Sequence, residues 1–437
     1  MTRLSELRGR IEGRSAQIGV IGLGYVGLPL ALSFAKAGFR VVGFDLDAAK
    51  VRTLSEGGSY IGDVPAAEVK GQLAAGRLRA STDFAPLAET DVIHVCVPTP
   101  LTKTKDPDVS FIVRAVEEIR ARLQPGQLIV LGSTTYPGTT HELFVPLLEE
   151  TGLRCGVDFS VCFGPERIDP ANKRFALHEV PKVVGGETPL CVELGAKIFE
   201  PIFDRVVAVS STQAAEMVKL LENTFRAINI GLVNEVALMC DRLGLDVWEV
   251  IDAAATKPYG FMKFQPGPGL GGHCIPVDPT YLSWKMKALN FTARFIELAT
   301  DVNGHMPEYV VTKIGDLLNE ERTAVNGARV LLLGVAYKAD VSDMRESPAL
   351  DVLRLLDAKG ADVRYHDPHV AELALEGRTW KSVELTDDEL AAADLVVVLT
   401  DHSGIDWSRV VARSQRVYDT RNATRAVREG REKIRKL

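Results

Sequence analysis

Residues 18–27 read IGVIGLGYVG. An apolar strand, Ile18–Ile21, runs into Gly22, Gly24 and Gly27. The helical segment LPLALSFAKAG follows and stops at Gly38, a residue suited to the position just past a helix end. A second strand, FRVVGFD, ends on Asp45. Strand, GxGxxG, helix, strand and acid inside one βαβ unit form the dinucleotide-binding fingerprint, a weak signal alone and a strong one in this context. Gly22 permits the tight turn, Gly24 lets the backbone approach a pyrophosphate, and Gly27 lets helix and strand pack closely. Tyr25 and Val26 complete the cradle, and the helix N-terminus offers unpaired N–H groups and positive potential to a phosphate. Asp45 is placed to accept from ribose hydroxyls, and its charge repels a 2′-phosphate, which favours NAD over NADP. The alternative is an apolar strand with a flexible turn.

Outward from this unit the rhythm continues. DVIHVCVP and QLIVLGS read as strands, and SFIVRAVEEIRARL between them has helical period with Ser110 as a candidate N-cap. Alternating strand and helix specify a parallel, doubly wound sheet, whose ligands bind beyond the C-terminal strand ends. VPTP (97–100, with Pro98 and Thr99) and GSTTYPGTT (132–140, with Thr134) therefore lie on the ligand edge. Residues 211–243 hold no proline and read as one long helix. Its apolar stripe comprises Met217, Leu220, Leu221, Ile228, Leu232, Val236 and Met239, which suits an interdomain spine and a dimer surface. At 329 the α/β rhythm returns with RVLLLGVAYK, and SPALDVLRLLDAKG follows as a helix with Ser347 as N-cap, Pro348 at N1 and Gly360 past its end. ADVRYHD, DLVVVLT and RVYD complete a second parallel sheet. Ala336 stands where the first unit has Gly24, so this half lacks a dinucleotide fingerprint. The expected fold is α/β, with two Rossmann-like doubly wound domains joined by a long central helix and a helical middle domain. The expected boundaries are 1–210 for NAD, 211–322 for the helical spine, and 323–437 for a second nucleotide-sized domain.

The 437 residues carry a net charge of −7, which argues against a large nucleic-acid surface and leaves room for a nucleotide held by a few amides and side chains. The six cysteines are scattered without CxxC spacing, so no metal site is expected and the thiols read as reduced and cytoplasmic. No signal peptide and no membrane-spanning run are expected.

Four segments carry candidate chemistry. In GPGLGGHCIPVDP (267–279), Cys274 lies just before a helix for which Asp278 fits as N-cap and Pro279 as N1. Thiolates become available at such helix starts, and glycines such as Gly271 permit close approach of a substrate. An inert thiol in a Pro/Gly turn fits the same residues. In AEMVKLLENTF, Lys219 and Asn223 are four apart and share a helix face, where a lysine beside a carboxamide steadies an oxyanion. A solvated lysine beside an ordinary asparagine is the alternative. GPERIDPANKRF places Glu166 and Arg167 in a turn-rich loop. YKADVSDMRESP places Lys338 and Arg345 at a helix entry, suited either to phosphate or to a local salt bridge.

Together and in this order, GLGYVGLP, VPTP, STTYPGTT, GPER, EMVKLLENT, GLGGHCIPVDP and YKADVSDMRESP resemble the UDP-glucose/GDP-mannose dehydrogenase family over roughly residues 15–425. Within it the chain is most similar to the branch acting on UDP-N-acetylglucosamine. The resemblance implies a UDP-sugar substrate, two NAD per sugar, and oxidation of a C6 alcohol through an aldehyde to a carboxylate. It implies that Cys274 captures the aldehyde as a thiohemiacetal that becomes a thioester. Lys219 and Asn223 match the oxyanion-steadying pair, Asp278 a proton-transfer partner, Thr134 a residue positioning water, and Glu166 the residue assisting hydrolysis. Lys338 and Arg345 match basic residues near the nucleotides. Two positions depart from the UDP-glucose enzymes, with Pro170 in place of a second glutamate and Pro258 in place of an arginine that reaches a neighbouring subunit's substrate. Both suit a bulkier N-acetylated sugar. A homodimer or higher homo-oligomer is expected, with no nucleic-acid or membrane partner. The competing expectations are UDP-glucose or UDP-N-acetylmannosamine as substrate, a two-electron NAD dehydrogenase, and an NAD-binding scaffold without catalysis.

Overall fold

In the computed structural model the apolar runs between these turns become the strands of two sheets. The structure describes residues 3–437 apart from 63, 103, 105, 168–174 and 273. It divides into one unit of residues 1–222 with 280–290, and another of 223–279 with 291–437.

The first unit carries β1 (Gln17–Ile21), β2 (Arg40–Phe44), β3 (Leu78–Ser81), β4 (Val92–Val95), β5 (Leu128–Leu131), β6 (Ser160–Phe163), β7 (Lys182–Gly186) and β8 (Val206–Val209). Their spatial order is β3-β2-β1-β4-β5-β6-β7-β8. The first six strands are parallel in the 3-2-1-4-5-6 order of a dinucleotide domain, with the order reversing between β1 and β4. β7 then turns back antiparallel to β6, with Phe163 opposite Gly185. Every residue of β4 and β5 is buried, as in central strands covered on both faces. The helix Ser110–Arg120 buries Ile112, Ala115, Val116 and Ile119, aliphatic positions worth about 1.5–3 kcal/mol for each large side chain. Ser110 is its first residue and not its N-cap. Val109 holds that position, and the Asp108 carboxylate takes the Ser110 N–H at 3.0 Å.

The second unit carries β9 (Arg329–Leu333), β10 (Asp362–His366), a hairpin of β11 (Glu372–Leu375) and β12 (Arg378–Lys381), then β13 (Leu395–Val398), β14 (Val417–Asp419) and β15 (Ile434–Lys436). Its parallel sheet has the order β10-β9-β13-β14-β15. This is the other common doubly wound order, 2-1-3-4-5, whose ligand crevice lies past the ends of β9 and β13. Helix Pro348–Ala358 begins and ends where expected, with Gly360 at φ 81°. Ser347 occupies the N-cap position but its hydroxyl makes no capping bond and is buried without a partner among the described residues.

One helix of 32 residues spans Thr212–Leu243. Its expected stripe is not a single covered face. Leu220 is buried, whereas Leu221, Leu232 and Met239 are exposed. In the second unit this helix crosses Arg294–Glu320 so closely that a Cβ on Gly231 would lie 3.2 Å from Ala299. Two buried asparagines join the crossing. Asn234 donates to Asn303 Oδ1 at 2.8 Å, and Asn303 donates to the Ala227 carbonyl at 3.1 Å. No helix among the described residues is long and apolar enough to cross a membrane.

Candidate active site

In the first unit the three fingerprint glycines do three different things. A Cβ on Gly22, which has φ 90°, would lie 2.5 Å from the Cys96 carbonyl oxygen, and one on Gly27 would lie 1.8 Å from the Gly22 oxygen. Both therefore serve close backbone packing. Gly24 has nothing within 4 Å of its Cβ direction, so the loop faces open space where a pyrophosphate would approach. Asp45 braces this loop: one carboxylate oxygen accepts from Leu23 N and the other from Asp47 N, each at 2.9 Å, with Lys50 Nζ at 3.5 Å. Its side chain keeps 12% exposure, enough to meet a ribose hydroxyl. Tyr25 is exposed beside the loop. The cradle fits NAD.

The neighbouring strand ends are stitched together. Ser133 Oγ accepts from Val97 N and donates to the Val97 carbonyl, each at 2.9 Å, which fixes the segment of Pro98, Thr99 and half-buried Thr134. Tyr281, in the helix Asp278–Ala288, donates to the Thr99 carbonyl, and Lys285 pairs with Glu142 at 2.6 Å. Buried Glu216 accepts from Gly138 N at 2.6 Å and from Thr140 N and Oγ1 at 2.9 and 2.6 Å. Burial nevertheless pushes its carboxyl up to about 7, against the pull of those donors.

Glu166, buried just past β6, accepts from Arg167 N at 2.8 Å on one oxygen and faces Lys182 Nζ at 3.4 Å on the other. Arg167 is engaged by a two-pronged ion pair with Glu222 and by a bond of 2.6 Å to the Pro181 carbonyl. It thus braces this unit.

In the second unit the glycine-rich stretch owes its composition chiefly to its own packing. A Cβ on Gly271 would lie 2.9 Å from Glu346 O and Tyr337 Cβ, and one on Gly267 would lie 2.5 Å from Arg421 Nη1. These glycines admit the chain itself. Gly267 N donates to Asn234 Oδ1 at 2.9 Å, so the buried asparagine pair also anchors this stretch. Cys274 is half-buried and in no disulfide among the described residues, and its carbonyl accepts from Val277 N and Asp278 N at 3.1 and 2.8 Å. Asp278 is the first residue of its helix and is buried. Asn223 Nδ2 donates to Asp278 Oδ2 at 2.5 Å, which brings together two residues that the sequence picked separately. Lys219 is half-buried one turn before Asn223 and forms no ion pair among the described residues.

Lys338 lies 5.5 Å from the Tyr337 ring centroid, and exposed Arg345 forms a local ion pair with Asp343 at 2.6 Å. Asp367, at the end of β10, stands where Asp45 stands in the first sheet, but its side chain is fully buried. Its Oδ2 accepts from Val335 N and Ala336 N at 2.8 and 3.1 Å and meets His402 Nε2 at 3.0 Å. Burial alone would raise this carboxyl, and the bonds from His402, Val335 and His369 override it and hold it at about 2. With no exposed acid and a loop closed on it, the second sheet has no counterpart of the dinucleotide cradle. Asp340, His369 and His402 put ligand-type atoms within 4.8 Å of one another. His402 Nδ1 accepts the Asp340 N–H at 3.0 Å, so its proton sits on Nε2 toward Asp367. Neither ring nitrogen keeps a lone pair for a metal, and the cluster is a hydrogen-bonded lock. Pro258 is exposed, and Pro170 lies outside the described residues.

Three family models match the chain in order: the NAD binding domain of the UDP-glucose/GDP-mannose dehydrogenase family over residues 16–203, its central domain over 213–305 and its UDP binding domain over 331–426. A UDP-N-acetyl-D-glucosamine 6-dehydrogenase from Pseudomonas aeruginosa is 38% identical, covering 82% of this chain and 84% of the relative. The chain belongs to the UDP-glucose/GDP-mannose dehydrogenase family. It is an NAD-dependent UDP-sugar 6-dehydrogenase. A UDP-N-acetyl-D-mannosamine dehydrogenase from Pyrococcus horikoshii is 34% identical over 90% of this chain and 92% of the relative. The solved structure of a UDP-D-ManNAc dehydrogenase from the same organism matches with a TM-score of 0.85 and 33% identity, covering 94% of this chain and 96% of that one. The sequence alone did not single out Lys182, Tyr281, Asn234 or Arg421, which the fold places against Glu166, the Thr99 carbonyl, Gly267 N and Gly267. Lys182 had one visible signal, a lone charge opening the apolar run KVVGG.

Proposed function

We propose that the chain oxidises UDP-N-acetylglucosamine at C6 to UDP-N-acetylglucosaminuronate. The observation that carries this choice of sugar is the relative of that activity at 38% identity. The relative and the solved structure named for UDP-N-acetylmannosamine favour a second reading, the same chemistry on that sugar.

The overall reaction takes one C6 alcohol, two NAD and one water to a carboxylate, two NADH and three protons. NAD, when bound, accepts a hydride at each oxidation. The chain does the rest. Lys219 and Asn223 steady negative charge on the C6 oxygen. The Cys274 thiolate adds to the aldehyde carbon, and the thiohemiacetal gives the second oxidation a tetrahedral carbon from which hydride leaves. The resulting thioester is hydrolysed by a water positioned by Thr134 and assisted by Glu166, and the thiolate departs. Asp278, fixed by Asn223 at 2.5 Å, passes protons to water or Lys219. Arg345 serves the cofactor, and Gly271, Lys338 and Arg167 line the UDP-sugar site. The proposal assigns NAD to residues 1–210, pairing of copies to 211–322 and UDP to 323–437. Phe225, Leu232, Met239, Leu243, Phe295 and Leu298 of the second unit are exposed, and a second copy of the chain covers them.

The test is a panel of UDP-sugars assayed by NADH absorbance. The proposal expects UDP-N-acetylglucosamine to give the highest kcat/KM. A preference for UDP-N-acetylmannosamine selects the second reading, and one for UDP-glucose defeats both. Leu232→Asp with an unchanged sedimentation coefficient would defeat the assignment of the exposed face.

A further inference from the structure

The antiparallel course of β7 has a chemical result. Carrying the register of β6 and β7 three residues beyond Phe163 and Gly185 sets Glu166 opposite Lys182. A parallel β7 would begin at the other edge of the sheet. Lys182 is 3% exposed, and a buried ammonium persists only where its charge and donors are met. Its socket meets them. Nζ donates to the Pro165 carbonyl at 2.8 Å and faces Glu166 Oε2 at 3.4 Å. The Phe199 and Phe203 rings lie beneath it, with centroids at 4.9 and 5.4 Å.

Two other titratable neighbours among the described residues carry no charge. Burial, with Lys182 adding to it, pulls His94 down to about 3. Burial pushes the Cys96 thiol up to about 12, against the pull of Lys182 and with Glu166 adding to the rise. On the facing loop, Arg167 is paired with Glu222. Among the described residues, Lys182 and Glu166 therefore stand as a charge pair in an apolar socket. Glu166 Oε1 is held by Arg167 N, so both carboxylate oxygens are directed.

We propose that Lys182 is a positioning residue that keeps Glu166 ionised and fixed in rotamer for the hydrolytic half of the reaction. The inference rests on the reading that Glu166 assists hydrolysis of a Cys274 thioester. In that step Glu166 accepts a proton from water as the water oxygen bonds to the acyl carbon. The carbon–sulfur bond then breaks, leaving thiolate on Cys274 and acid on the sugar. Without Lys182 the carboxylate loses this ammonium in low dielectric and takes up a proton at higher pH.

Lys182→Met is expected to release a burst of NADH and then turn over slowly, with kcat lowered about tenfold to hundredfold. Intact mass is expected to find an acyl adduct on Cys274, and the acid limb of the kcat–pH profile is expected to move to higher pH. Lys182→Arg is expected to return that limb toward its wild-type place. The Lys182→Met/Glu166→Gln pair removes both charges of the pair and covers the case in which Lys182→Met alone does not fold. It is expected to be no slower than Glu166→Gln. A wild-type rate and pH profile in Lys182→Met, or a further tenfold loss in the pair, overturns the role of Lys182 while leaving the four-electron reading intact. A wild-type yield of one NADH per sugar instead defeats that reading, and the inference with it.

Discussion

Replacing Asn234 by Ala tests whether the buried asparagine pair holds the cysteine stretch in place. Asn234 is fully buried, accepts from Gly267 N at 2.9 Å and donates to Asn303 Oδ1 at 2.8 Å. The substitution orphans both partners, and each buried unsatisfied group costs about 1–3 kcal/mol. The second unit should therefore lose on the order of 4 kcal/mol, before any cavity is counted. Trp248 reports the loss, because it packs with Val233 and Ala237 beside Asn234 in one buried cluster. Urea unfolding followed by tryptophan fluorescence should move to lower concentration. Amide exchange at Gly267 should accelerate about a thousandfold as that N–H loses its acceptor. A shift below about 1 kcal/mol, or an unchanged Gly267 exchange rate, refutes the anchoring argument.

Three further outcomes follow from the geometry. Gly27→Ala would place a Cβ 1.8 Å from the Gly22 oxygen, so NAD binding measured by calorimetry should be lost; retained affinity would mean that the fingerprint helix does not set the cradle. Glu216 has a folded pKa of about 7 against 4.5, so it contributes stability that is full below pH 4.5 and lost as pH rises through 7. Relative to Glu216→Gln, the wild type should weaken on the order of 3 kcal/mol across that window, and a pH-independent difference between them would contradict it. Cys274→Ser should form no net acid while keeping NAD affinity, and full turnover in that variant would remove the covalent step.

The fingerprint was legible because each glycine has a separate steric reason, and strand, turn and acid fall within one short unit. The order of the first six strands follows from the same βαβ rule. What the residues did not disclose depended on long-range pairing. The direction of β7 depends on its pairing with β6, so Lys182 read as a charge beside an apolar run and not as the partner of Glu166. The stripe on the long helix was visible, but periodicity does not say which flank the chain itself covers. Leu220 turned inward, and Leu232 and Met239 outward. The glycines before Cys274 were read for the approach of a substrate, while Tyr337, Glu346 and Arg421, distant in sequence, are what approach them. Asn223 was picked for chemistry and Asp278 as a helix N-cap, each from its own segment, and only the fold set them 2.5 Å apart.

The proposed function turns on a four-electron oxidation through Cys274. Its most direct measurement is the NADH formed from a limiting amount of UDP-N-acetylglucosamine with NAD in excess. Two NADH per sugar are expected, with a carboxylate at C6. One NADH per sugar, with the product remaining an aldehyde, would contradict it.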